Sequence, residues 1–221
     1  MSLVTRKLIA KELFVNRWFI AGGMFSGIVS VLIATLGRAG FNVGALMWMT
    51  TIIAMGVMLA IYGVMNERKE QSLQFVLGLP LSIAEYVRAK LVGLLLCYLI
   101  PWAVSSVAAI VLIVTTGVPD GLLPYTVLLC VFLLTNFALV LCGVLHAKTE
   151  SVVAGAVVVT NMFVSLYMFV IASVPGLGDH MQDPVPAWNR AVFTILAIEL
   201  CMLAVALVLP LLVAARRRDF L

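Results

Sequence analysis

The chain has 221 residues, of which 64% are hydrophobic and only 11% charged, with a net charge of +4. A mean hydropathy of +1.18 lies far outside the range of soluble globular domains, and at ~20 apolar residues per span the length accommodates about six spans with short connections. No soluble domain of useful size is left over. Nucleic acid is not an expected partner, because the basic residues sit at the ends of apolar runs, where membrane topology explains them.

Six apolar runs, at roughly 18–36, 45–65, 91–115, 122–145, 152–174 and 191–214, read as helices. A segment in lipid must satisfy its own backbone hydrogen bonds, and the alternating pattern of a membrane β-barrel is absent. The expected fold is therefore all-α, a single polytopic domain over 1–221 with six transmembrane helices.

Before the first run, residues 1–17 carry Arg6, Lys7, Lys11 and Arg17. They lack the compact apolar core and small-residue site of a cleavable signal. An interfacial helix with basic side chains reaching towards headgroups is expected there; a simple extension of the first span is the alternative. The first run contains Gly23 and Gly27 in G-x-x-x-G spacing, and Ala154, Gly155 and Ala156 form a second small-residue patch in the fifth. Both allow close approach of helix backbones.

Between the second and third runs lies the most polar stretch of the chain, 67–90. Ser82 and Glu85 have the spacing of a capping box, with Leu81 and Tyr86 placed for a hydrophobic staple, so the third long helix is expected to begin near Ile83. Upstream, Gly78 and Pro80 form a helix stop. Leu73, Val76 and Leu77 fall on one face of a short helix, flanked by Glu67, Arg68, Lys69 and Glu70. Two readings fit: a turn that merely connects two spans, or a docking helix for a soluble protein, its charges setting encounter and register.

Of the 14 Lys and Arg residues, only Arg38 and Arg190 fall on the side opposite this segment. The positive-inside rule then predicts both termini and 67–90 in the cytoplasm, and 175–190 as the longest outer loop. Within the runs, Asn136, Asn161 and Glu199 lie near mid-depth. A carboxyl group there costs ~2.5–3.5 kcal/mol on insertion scales and is expected to face protein or water. An interhelical hydrogen-bond cluster and a place on a translocation pathway are both open readings.

Other candidates are weaker. Cys97, Cys130, Cys142 and Cys201 all lie in apolar runs without paired ligand spacing, which argues against disulfides or zinc. Asp179, His180, Met181 and Asp183 cluster in the outer loop, where a solvated loop is the preferred reading, so no metal site is expected. His146, at a helix end, suits the helix dipole. No nucleophile–base arrangement points to an enzyme. The sequence also has no G-x-x-x-x-G-K-[ST] phosphate loop, so any ATP chemistry belongs to another polypeptide.

From the acidic–basic cluster through Gln71-Ser72-Leu73 to Leu79-Pro80-Leu81-Ser82, Tyr86 and Lys90, the segment resembles the cytoplasmic loop of type-2 permease subunits of ABC transporters. It departs from them in lacking a Gly near Gln71 or Ser72. The resemblance covers the chain in topology, with motif-level similarity confined to 67–90. It implies an exporter permease that works as a dimer with two cytoplasmic ATPase subunits, which bind ATP and magnesium; the chain itself would hold no cofactor. It further implies a coupling helix within 67–82 that presents Glu67, Arg68, Glu70, Leu73, Val76 and Leu77 to the ATPase. Gly23, Gly27 and Gly155 would meet a second copy of the chain or a related permease, and Asn136, Asn161 and Glu199 would line the pathway or a polar core. A membrane subunit of the heme-exporter type is a narrower version of this expectation. A proton-linked secondary transporter using Glu199 is the alternative.

Overall fold

The computed structural model describes residues 3–65, 82–147 and 149–216. Among them there is no strand. The helices are α1 (Leu3–Val15), α2 (Arg17–Ala34), α3 (Gly37–Ala60, continued by a π turn over Ile61–Met65), α4 (Ile83–Thr115), α5 (Leu122–His146), α6 (Glu150–Ser173) and α7 (Arg190–Arg216), with a short 3-10 turn at Gly178–His180. Helices α2 to α7 are each long and apolar enough to cross a membrane. The chain is a polytopic, all-α membrane protein.

α5 is the central post. Of its apolar stretch 67% is buried within the chain, against 11% for α2 and α6 and 17% for α7, most of whose surface the described residues leave uncovered. Tyr98 of α4 stacks on Phe137 of α5 with ring centroids 4.0 Å apart, and its hydroxyl donates to the Leu133 carbonyl. Gly56 of α3 lies against both rings, where a Cβ would come within 3.1 Å of Phe137 and 3.3 Å of Tyr98. Trp102 Nε1 donates to the Cys130 carbonyl at 3.0 Å, tying α4 to α5 a second time.

α2 and α3 form a tight hairpin because glycines line its seam. Gly37, at φ +82°, starts α3 in a conformation that side chains disfavour. A Cβ on Gly40 would stand 2.5 Å from the Ile33 carbonyl oxygen, and one on Gly44 2.5 Å from that of Ser30. α3 thus begins eight residues before the apolar run at 45. Hydropathy marks the lipid-facing stretch of a helix, and Arg38 and Asn42 interrupt it without ending the helix.

Gly23 and Gly27 are also used inside the chain. A Cβ on Gly23 would meet Met55 Sδ at 2.5 Å and Pro101 Cβ at 3.3 Å, and one on Gly27 would meet Ser105 Cβ at 2.7 Å. Both are buried between α2, α3 and α4. This corrects the expectation that they face a second copy: the spacing serves close packing within the protomer. Gly155 is different, being exposed with nothing within 4 Å of its would-be Cβ.

The capping box of α4 forms as expected. The Glu85 amide donates to Ser82 Oγ, and the Ser82 amide to Glu85 Oε2, both at 3.2 Å. With 33 residues α4 is ~50 Å long, longer than the ~30 Å hydrocarbon core, so its first turns project beyond the apolar stretch. At the opposite end the short connections meet, the Gly121 amide donating to the Asp183 carbonyl at 2.9 Å. Asn189 caps α7, accepting from the Val192 amide at 3.1 Å while its Nδ2 donates to the Gly176 carbonyl.

Candidate functional site

The strongest polar feature in the bundle is where α1 meets α4. Thr5, Ile9, Glu12 and Asn16 recur at four, three and four residues and form the buried stripe of this end of the chain. Arg6, Lys7 and Lys11 lie on the exposed side. α1 is a helix separate from α2, and it docks on α4 through a stripe in which three of the four residues are polar.

Gly93 makes room for it. A Cβ there would fall 2.8 Å from Glu12 Cγ and 2.9 Å from Glu12 Cβ. One turn earlier, Lys90 Nζ donates to Glu12 Oε1 at 2.7 Å and to the Gly63 carbonyl at 2.6 Å. Glu12 is 5% exposed and Lys90 3%, so this is a buried ion pair. Gly63 belongs to the π turn that closes α3, a departure from the regular helix of the sort often found at functional positions. One amine therefore joins α1, α3 and α4. The Glu12 carbonyl is equally engaged, accepting from Asn16 Nδ2 at 2.9 Å and lying 3.7 Å from Cys97 Sγ.

Sequence reasoning missed this pair. Lys90 is read from the sequence as a topological charge and as the end of the loop motif, and Glu12 is not singled out. A signal was available: Glu12 is the lone acid among the four basic residues of 1–17, and it shares a helical face with Ile9 and Asn16. What no pattern in the sequence supplies is the partner, 78 residues away.

The mid-depth residues form two separate bridges rather than one cluster. Asn136 Nδ2 donates to Asn161 Oδ1 at 3.3 Å, linking α5 to α6. The Tyr167 hydroxyl donates to Glu199 Oε1, linking α6 to α7. Glu199 is buried, and its Oε2 has no hydrogen-bond partner among the described residues. Tyr167, which also stacks on Phe132 at 3.7 Å, is a residue the sequence reading did not pick out.

Glu67, Arg68, Glu70, Leu73, Val76 and Leu77, with the hydrophobic partner Leu81, lie outside the described residues. In the connection between α6 and α7, His180 Nδ1 and Asp183 Oδ2 are 2.7 Å apart with both side chains about half exposed, a local i,i+3 contact. Among the described residues no three His, Cys, Asp or Glu side chains come together as a metal site. A mostly apolar cavity of about 150 Å³ opens between α2, α3, α4, α5 and α6, lined by Ser30, Trp48, Leu112, Leu129 and Met168 among others. Comparison with protein-family models gave no match, and comparison with curated proteins gave none either.

Proposed function

We propose that the chain is the permease subunit of an ATP-driven exporter, working as a dimer with two cytoplasmic ATPase subunits that bind ATP and magnesium. Both termini and residues 66–81 are assigned to the cytoplasmic side of the cell membrane, from the distribution of Lys and Arg. The observation that carries the reading is the polar segment 67–90, which resembles the loop of such permeases and leads into a helix capped at Ser82. α4 extends below its apolar stretch there, so a docked partner would act on a rigid lever. Gly155, outward-facing on α6, remains the proposed contact with the second permease.

Purification of the full chain in mild detergent tests this. An ATPase is expected to co-purify, and its hydrolysis to rise with transported substrate. Transport in proteoliposomes by the chain alone, driven by a proton gradient without ATP, would instead establish the secondary-transporter reading.

One observation favours that second reading enough to state it: the buried Glu199 carboxyl with an oxygen unused by the bundle. A Glu199→Gln variant keeps an acceptor for Tyr167 and removes the ionisable group. If Glu199 serves the pathway, this variant lowers substrate-stimulated hydrolysis or export several-fold with assembly unchanged. Wild-type transport by Glu199→Gln across a range of pH would reduce Glu199 to a packing role.

A further inference from the structure

Residues 66–81 connect the π turn of α3 to Ser82, and Lys90 is bonded to the first flank while belonging to the second. It also donates to Glu12 of α1. We propose that Glu12 and Lys90 form a latch that makes α1, the π turn and the first turns of α4 one mechanical unit, so that displacement of the flanks of 66–81 is passed through α1 into α2. What does the displacing rests on the permease reading above; the latch itself does not.

Three observations carry this. A buried ion pair is costly to desolvate and is commonly no more stabilising than an apolar pair of the same shape, so its distinctive contribution is direction. Here direction is what the geometry supplies: two bonds from one Nζ, at 2.7 and 2.6 Å, fix α1 and α3 relative to α4, where apolar packing would tolerate slip. Next, Gly93 removes the side chain that would hold Glu12 away from Lys90. Finally, the tie continues past α1. The Glu12 carbonyl holds both the amide and Nδ2 of Asn16, and the Asn16 carbonyl accepts from the Ile20 amide at 3.0 Å. The path from Lys90 to α2 is thus hydrogen-bonded at each step, and α2 in turn packs on α3 and α4 through Gly23 and Gly27.

Cys97 is a built-in reporter, because it is 0% exposed and its Sγ lies against the Glu12 carbonyl under α1. Its modification by a membrane-permeant maleimide, followed by mass spectrometry of the peptide that contains it, measures whether α1 stays docked. In the full-length protein, Lys90→Met is expected to raise the Cys97 labelling rate at least tenfold. Glu12→Gln, which keeps the shape but leaves the Lys90 charge uncompensated, is expected to raise it several-fold. If Lys90→Met does not fold, Glu12→Gln decides, and a folded Glu12→Gln protein labelled at the wild-type rate would overturn the latch. The paired variant Glu12→Leu/Lys90→Met is expected to keep Cys97 protected by apolar packing. In complex with the ATPase it should nevertheless lose at least fivefold of substrate-stimulated hydrolysis, since the bond to Gly63 is gone. Full stimulation in that variant would overturn the mechanical role. Failure to recover any ATPase would bear on the permease reading alone, and the labelling rates would still decide whether the pair holds α1.

Discussion

A Leu73→Asp/Leu77→Asp variant is expected to lose at least tenfold in transport and in substrate-stimulated ATP hydrolysis, while inserting into the membrane like the wild type. The two leucines are spaced with Val76 so that a helix there would carry all three on one face, just ahead of Gly78 and Pro80. If that face enters a groove on the ATPase, each Asp places a charge where no partner has been provided. Burying an unpaired charge costs several kcal/mol, and a loss of only ~1.4 kcal/mol already corresponds to tenfold in affinity. Insertion is spared because neither residue lies in one of the six apolar runs of the sequence. Reconstitution with the ATPase, assayed for co-purification and hydrolysis, measures the effect. Normal assembly and normal transport by the double variant would remove this segment from consideration as the docking site.

A large stability effect is expected at Gly44, in the seam between α2 and α3. Even Ala there puts a Cβ 2.5 Å from the Ser30 carbonyl oxygen and 2.7 Å from Ala34 Cβ, so helix backbone has to move. Overpacking of this kind costs about 1–3 kcal/mol, and Gly44→Leu costs more than Gly44→Ala. Gly22 and Gly155, with nothing within 4 Å of the added carbon, provide the controls. Their Ala variants are expected to stay within ~0.5 kcal/mol of wild type apart from helix propensity. Thermal unfolding in detergent ranks the three, and a Gly44→Ala protein that melts with the wild type would show that α2 and α3 are less tightly joined. The same logic governs any test of dimerisation. Loss of dimer in Gly27→Leu would report a damaged protomer, because that side chain has to displace Ser105 of the same chain. Gly155→Leu is the informative substitution.

The six helices were legible in the sequence because lipid makes the requirement simple: about twenty apolar residues with an internally satisfied backbone. The start of α4 was legible for a local reason, since Ser82 and Glu85 satisfy each other's backbone amides without help from the rest of the fold. The role of the glycines was not legible. Gly23-x-x-x-Gly27 and Gly40-x-x-x-Gly44 announce close approach, but spacing along one helix says nothing about which helix approaches. Both turned out to serve contacts within the chain, and the second pair had gone unremarked.

For the polar residues the division is similar. Composition and spacing established that Glu199 needs protein or water around it, because a carboxyl in hydrocarbon has no other recourse. That Tyr167 is its partner, and that Asn136 and Asn161 form a separate bridge, depends on how α5, α6 and α7 are rotated about their axes. Helix rotation in a membrane is set by packing against neighbours, which a nearly uniform apolar sequence records only weakly. Glu12 and Lys90 are the clearest case. By itself the sequence determined that this is a helical membrane protein with its charge gathered at one set of helix ends. Only the tertiary structure decided that two of those charges, 78 residues apart, leave solvent and meet, because the energy of an ion pair depends on a distance of a few ångströms that no one-dimensional pattern contains.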